Sequence, residues 1–359
     1  MKKFLAYLVL GCVSLNTQIL AETYDQWDVS PQNNTWENSE NSRDWQSTNN
    51  HGYEWDSNSC CYEQNNCGTF EVGADWLYWK AEEGQMEFGA NVTTADGGST
   101  ISSTVLRPKF KETSGYRVFA NYETPDNAWN FGAIYSHLPS NTNLSVNDNL
   151  TVALDAIVIF NPNFPIFSAI SSAAFDSVDA HWDLDVDYAD LDLSRTFTLC
   201  ESLQICPNIG LRGFWLHQTF DLDGAGTTIS FTSSLKGKVE AYGLKGGLTG
   251  IGKLGYGFSI VGHVGGSLLY ARLHNSGELT GVVPGSPDTH ISYRDTMHKA
   301  MPTIDSSIGI HYTHMLWNKK IDLHACWENH IVFGTNAFAI GAGANLTMQG
   351  LTLGGSVDF

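Results

Sequence analysis

The sequence predicts an all-β fold: a transmembrane antiparallel β-barrel of ten clear strands, within a range of ten to fourteen, behind a disordered N-terminal tail. Three observations carry that expectation. Segment after segment alternates apolar with small or polar residues at a period of two, as in a strand with one face against an apolar medium. The connections between these segments alternate long and short, an asymmetry of membrane barrels that a soluble sandwich has no reason to keep. Beyond the N-terminus no stretch approaches the ~20 consecutive apolar residues of a membrane helix, so a spanning chain must satisfy its backbone in a closed barrel.

Residues 1–21 read as a secretory signal, with Lys2 and Lys3 before the short apolar run "FLAYLVLGCVSL" and a cut after Ala21. "VLGC" offers a lipoprotein signal acylated at Cys12 as the alternative, although Leu10 fits that motif poorly. Residues 22–68 are rich in Asn, Ser and Gln and carry nine acidic residues against the single Arg43. So few aliphatic side chains cannot bury enough surface to fold alone, which predicts a disordered periplasmic tail. Its tryptophans, Trp27, Trp36, Trp45 and Trp55, are spaced nine, nine and ten apart, so repeated aromatic anchors for an envelope partner are the second reading.

The barrel domain is expected over residues 69–359. "FEVGADWLYW" sets Phe70, Val72, Ala74, Trp76 and Tyr78 against Glu71, Gly73 and Asp75. "GYRVFANY" places Tyr116, Val118, Ala120 and Tyr122 opposite Arg117 and Asn121; "TPDN" then turns the chain into "WNFGAIYSH". In "HWDLDVDYADLDL" the apolar residues are Trp182, Leu184, Val186 and Tyr188, and then Leu191 and Leu193. The phase slips near Ala189, as a bulge would produce, and Leu191 and Leu193 then oppose Asp190 and Asp192. "ICPNIGLRGFWLH", "YGLKGGL", "LGYGFSIVGHVGGSLLY", "IDSSIGIHY" and "IDLHACWENH" obey the same rule. In "LTLGGSVDF" the apolar Leu351, Leu353, Val357 and Phe359 share one face, so this last strand is expected to be the segment that barrel assembly machinery reads.

The strands fall at about 69–80, 104–122, 128–139, 181–199, 206–222, 236–250, 254–274, 299–316, 320–331 and 344–359. The gaps at 81–103, 140–180, 223–235, 275–298 and 332–343 are long and those between them short. An even count puts both ends of the chain in the periplasm. The apolar, proline-broken stretch within 140–180 either folds into the lumen as a plug or hides another hairpin.

Formal charge is −19, and −21 once Lys2 and Lys3 are removed, which argues against nucleic-acid binding. The 35 glycines, with 25 tryptophans and tyrosines together, suit a barrel wall with aromatic girdles.

Taken together, "WLYWKAEEGQMEF", "GYRVFANYETPDNAWNFGAIYSHL", "HWDLDVDYADLDLSRTF", "ICPNIGLRGFW", "GLKGGL", "GYGFSIVGHVGGSLLYARL", "IDLHACWENHI" and "LTMQGLTLGGSVDF" resemble the pore-forming outer-membrane proteins related to the chlamydial major outer membrane porin. The Legionella-type pore-forming family is the more similar. The resemblance covers roughly residues 69–359 and rests on the ensemble, because no single motif is diagnostic. It implies a barrel that passes small solutes and an abundant surface protein. The tail at 22–68 lies outside it.

Ionisable residues opposite the apolar face are expected to line the pore: Arg117, Asp183, Asp185, Asp187, Asp190, Asp192, Arg212, Lys245, His263, Asp305 and Asp322. Acids and bases on different walls either set a transverse field that biases ion passage or make a hydrated lining of low selectivity; the excess of acids points to mild cation preference. His324, Glu328 and His330 share a strand face, where a polar lumen explains them better than a metal does. No cofactor, metal centre or catalytic residue is expected. The enzymatic alternative, an omptin-like rim protease, would use Asp179 and His181. A structural or adhesive barrel with a plugged lumen is the other competitor, since ten strands leave little bore.

Six cysteines follow the signal in an oxidising compartment. Cys200 and Cys206 bracket a short turn and could bridge if their Cα atoms fall within ~7 Å. Cys60, Cys61 and Cys67 form an odd cluster that suggests intermolecular links; the alternative is one local bridge and one idle thiol. "CCYEQNNC" without a nearby His is a weak zinc motif. Cys326 faces the lumen alone. The family resemblance implies cross-linking to other copies or to Cys-rich envelope proteins. Partners expected besides these are outer-membrane lipid, the assembly machinery and small solutes.

Overall fold

In the computed structural model of the protein, residues 68–84, 89–95, 100–125, 129–151, 174–227, 229–285, 287–317, 319–335 and 344–359 are described. The expected signal, the tail with Cys60, Cys61 and Cys67, and the apolar stretch 152–173 lie outside them.

Thirteen strands are present among the described residues: β1 Thr69–Glu83, β2 Gly89–Ala95, β3 Thr100–Leu106, β4 Thr113–Glu123, β5 Trp129–Thr151, β6 Ala174–Arg195, β7 Phe197–Cys200, β8 Leu203–Ala225, β9 Ser230–Gly255, β10 Phe258–Val282, β11 Thr289–Leu316, β12 Lys319–Val332 and β13 Leu346–Asp358. Ten of them close into an antiparallel cylinder in the order β1, β4, β5, β6, β8, β9, β10, β11, β12, β13 and back to β1. The seam is made by β1 and β13, paired from Glu71 with Asp358 to Glu83 with Leu346. Reciprocal backbone bonds between Phe70 and Phe359, 2.8 and 3.2 Å, extend it by one step. Strand β7 continues the wall of β6 against β8, and β2–β3 is a hairpin that touches β5 at Ala90 and Asn91.

The wall has two zones. Towards the short turns, one residue in two is apolar and points outward: Trp76, Tyr116, Phe131, Leu191, Leu211, Leu244, Leu268, Ile308, Leu323 and Leu353 are all exposed on the outer face. Two aromatic belts bound this zone. Tyr116, Tyr135, Trp215, Tyr242 and Tyr270 mark one edge, and Phe70, Trp129, Tyr256, Phe258 and Trp317 the other. Tyr270 and Phe258 lie on the same strand, where twelve steps of ~3.4 Å at a tilt of ~40° span roughly 30 Å, the height of a bilayer's apolar core, while on β5 Trp129 and Tyr135 are six steps apart and span about half of that. The turn between β9 and β10 is two residues, Tyr256 and Gly257, both at positive φ (55° and 85°). A side chain at residue 257 would also meet the Thr313 carbonyl at 2.4 Å, so glycine is required there.

Towards the long connections the polarity is reversed. Leu77, Trp79, Trp182, Leu184, Val186, Phe214, Leu216, Leu222, Val239, Leu269, Leu273 and Met348 point inward and are at most 1% exposed, so this half is filled by a packed hydrophobic core. Trp182 packs edge-on against Phe110 and Phe220, at 4.3 and 6.4 Å.

This inversion corrects several expectations. There is no bulge near Ala189: the ladders of β6 with β5 and β8 run without a shift from Ser177 to Ser194, and the one register shift of β5–β6 falls at Asn147/Leu150. Trp182, Leu184, Val186 and Tyr188 are inside, on the same face as Asp190. Asp183, Asp185 and Asp187, expected in the lumen, are on the outer wall above the membrane zone. The segments 223–235 and 275–298 are mostly strand: β8 and β9 pair to Ala225–Ser230, and β10 and β11 to Gly281–Thr289. The expected strand 104–122 is divided between β3 and β4.

Candidate functional site

In the membrane zone the residues that alternate with the lipid-facing ones point into the lumen, and several belong to strands that are not neighbours. Contacts between them therefore cross the barrel interior. Arg117 of β4 grips Glu328 of β12 with two parallel bonds, Nη1 to Oε1 at 2.9 Å and Nη2 to Oε2 at 2.8 Å. The same guanidinium reaches Asp75 Oδ2 at 3.3 Å and Ser136 Oγ at 3.0 Å. His330 bridges the next step, with Nε2 3.1 Å from Glu328 and Nδ1 2.7 Å from Asp305. Arg212 of β8 then donates from Nη1 to Asp305 at 2.5 Å, and from Nε and Nη2 to the two oxygens of Asp190, each at 2.8 Å. Lys245 closes the chain between Asp190, 2.8 Å, and Asp192, 2.9 Å.

This ladder runs across the lumen from β4 to β9. Asp75, Asp190, Arg212, Lys245, Asp305 and Glu328 are at most 8% exposed. Aromatic faces complete it: the Arg117 guanidinium lies 5.5 Å from the centre of Trp79, Arg212 lies 5.3 Å from Tyr188, and Trp79 stands 4.8 Å from His330. Charged groups so far from water are tolerated because each has a hydrogen-bonded partner of opposite sign in good geometry.

Of the residues expected to line the lumen, Arg117, Asp190, Asp192, Arg212, Lys245, His263, Asp305 and Asp322 lie there, and all but His263 and Asp322 join the ladder. His263 meets Thr249 Oγ1 at 3.0 Å and Asp322 meets Thr313 Oγ1 at 2.8 Å, both nearer the turn end. The outward Asp187 accepts from the Tyr135 hydroxyl at 2.7 Å and sits 2.9 Å from His137 Nδ1. Glu328 and His330, expected with His324 on a strand face in a polar lumen, lie there, whereas Asp75 is the ladder member outside the expected lining. Its luminal parity, Asp75 against Trp76, is the signal in the sequence that finds it.

Asp179 and His181 do not form a rim dyad. His181 contacts Asn143 Oδ1 and, at 2.9 Å, Asp183 on the outer wall, while Asp179 is engaged by Ser145. The expected bridge between Cys200 and Cys206 is a second correction: both are free thiols. Cys200 is paired with Leu203 and contacts Ser202, whereas Cys206 lies 3.6 Å from Thr196 Oγ1. Four strand steps, ~13 Å, separate Thr196 from Cys200, beyond disulfide reach. A concavity of about 870 Å³ opens on the outer wall, over Ala120, Ala133 and Ala189 between Tyr135, Trp215 and Tyr242, so it faces lipid and not the lumen.

Among solved structures, the outer membrane protease OmpT from Escherichia coli matches 81% of this chain and 97% of its own, at 13% identity and a TM-score of 0.42. The Pseudomonas putida toluene transporter TodX matches 81% and 89% at 9% identity, TM-score 0.36. Ail, the attachment invasion locus protein of Yersinia pestis, matches 82% and 99% at 10% identity, TM-score 0.24. Likenesses this distant carry no functional argument, and no curated protein matches the chain. The model of one family, described as the Legionella pneumophila major outer membrane protein precursor, matches residues 64–359. The barrel, its two belts and the extent of that match agree, and the chain belongs to the Legionella major outer membrane protein family.

Proposed function

We propose that the protein is an abundant surface barrel that builds the outer membrane's wall, with a lumen that carries charge but is closed at rest. The ladder from Arg117 to Lys245 carries this reading, because its members span the interior, are almost free of solvent, and are backed by the inward-packed core of the loop-end half. In this reading the short turns and both ends of the barrel domain face the periplasm, the reversed zone stands outside the cell, and no reaction is catalysed.

The test is planar-bilayer recording of the purified protein. Wild type is expected to give no discrete conductance steps, and neutralising the ladder at Arg117 and Glu328 together is expected to produce them. Frequent steps from wild type would instead support the second reading, a porin for passive diffusion of small hydrophilic solutes. One observation favours that reading: the turn-end half of the lumen is polar and partly exposed around His311 (26%) and Asp322 (18%).

Assembly in this scheme reads β13 and Phe359, whose outward ring has its centre 3.6 Å from Lys319 Nζ of the neighbouring β12. Phe359→Ala is expected to lower the amount of folded barrel in the membrane several-fold, checked by heat-modifiable gel mobility of envelope fractions. Unchanged amounts would remove the assembly role. Covalent cross-links are assigned to Cys60, Cys61 and Cys67, with other copies or other Cys-rich envelope proteins as partners; non-reducing gels of whole envelopes test this by the presence or absence of ladders.

A further inference from the structure

We propose that His311, Asp322 and His324 form a site for one divalent transition-metal ion of the Zn²⁺ class, in the turn-end half of the lumen. His311 of β11 and His324 of β12 are directly opposed in register, and both side chains are luminal. His311 Nδ1 lies 3.1 Å from Asp322 Oδ1, and His324 Nδ1 lies 3.6 Å from the same oxygen. One donor atom from each of the three residues falls within 4.8 Å of the others. A tetrahedral ion with bonds of ~2.0–2.1 Å holds its ligands roughly 3.3 Å apart, which the two contacts to Asp322 bracket. The imidazoles stack at 5.0 Å and 19°, so both rings turn the same edge toward the carboxylate.

The surroundings are those of metal ligands held in place. A ligating histidine usually donates its other ring N–H to an acceptor that fixes its tautomer and orientation. His324 Nε2 lies 2.9 Å from Asp75 Oδ1, and His311 Nε2 lies 3.9 Å from Cys326 Sγ. Thr313 Oγ1 donates to Asp322 Oδ2 at 2.8 Å, which leaves Oδ1 toward the rings.

Two luminal glycines make the room. A Cβ at Gly354 would stand 2.0 Å from Asp75 Oδ1 and 2.7 Å from His324 Nε2, and one at Gly309 would stand 2.3 Å from Cys326 Sγ. A side chain at 354 would push Asp75 and His324 apart, and one at 309 would displace Cys326, the outer partner of His311. Two imidazoles and one carboxylate, with a fourth position open to water, select Zn²⁺, Co²⁺, Ni²⁺ or Cu²⁺ over the oxygen-seeking Ca²⁺ and Mg²⁺. The site holds whether the ladder beyond it is open or closed, so it stands apart from the functional reading above.

The experiment uses full-length protein folded in detergent, stripped with chelator and titrated with Co²⁺, then Zn²⁺. One equivalent of Co²⁺ should bind with visible d–d bands, without the thiolate charge-transfer bands that the tail cysteines would give, and Zn²⁺ should displace it. His311→Ala with His324→Ala should abolish the bands. Asp75→Asn should keep them while weakening affinity about 10–100-fold. His290→Ala with His298→Ala on the outer wall should change nothing. Unheated gel mobility reports folding of each variant, and His311→Gln with His324→Gln serves if the alanine pair fails to fold. Absence of d–d bands in wild type, or their survival in the paired His311 and His324 variant, overturns the proposal and leaves a hydrogen-bonded polar cluster.

Discussion

Arg212→Met is expected to destabilise the folded barrel by about 3–5 kcal/mol, the usual consequence of removing one partner from a buried ion pair. Arg212 supplies both bonds that hold the two Asp190 oxygens in line and the short bond to Asp305. Without it, Asp305 retains only His330, and Asp190 shares Lys245 with Asp192. Methionine fills much of the space without satisfying either carboxylate. Adding Asp190→Asn and Asp305→Asn should recover more than half of the loss, because the cost lies in the stranded charges and not in the missing contacts. Urea unfolding in detergent, followed by tryptophan fluorescence and gel mobility, measures both. A single-variant loss below ~1 kcal/mol, the range of a solvated pair, would mean that water reaches the ladder and the bore is open at that level.

The second large effect separates two neighbouring residues. Trp182→Ala should cost about 3–5 kcal/mol, since it empties an aromatic site in a packed core, whereas Asp183→Ala should fall within ~0.5 kcal/mol of wild type, as exposed positions do. Trp182 is 1% exposed between Phe110 and Phe220, and the Asp183 side chain is 53% exposed. If residue 182 faced lipid, as a uniform apolar-outward rule requires, its truncation would be mild. The same unfolding measurement decides, and equal costs at 182 and 183 would sink the reversed polarity of the loop-end zone.

The membrane zone was legible because its signal is local. Trp76, Tyr116, Leu211, Leu244 and Leu353 each stand beside a polar or small neighbour, and period-two alternation needs nothing beyond the pleat of one strand. Eight of the eleven expected luminal residues follow from it, as does the shared outward face of Leu351, Leu353, Val357 and Phe359. The ladder's pairings were not legible. Arg117 and Glu328 are 211 residues apart, on strands that are not adjacent in the cylinder. Which cation meets which carboxylate depends on how the closed barrel turns each strand to face the others. Cys200 and Cys206 misled for a related reason: closeness in sequence across a turn is not closeness in register.

The sequence by itself determined that this chain forms strands, that these strands have two unlike faces, and that ten to fourteen of them make the wall. It could not determine which face is the inside, because alternation reads the same in either direction and only the surrounding medium assigns it. Strand β6 runs straight from Trp182 to Leu193 while the medium outside it changes from water to lipid. The apolar residues therefore change sides with no change in the backbone, and only the closed tertiary structure, by fixing where the membrane ends, decided that Trp182 is core and Leu191 is lipid-facing.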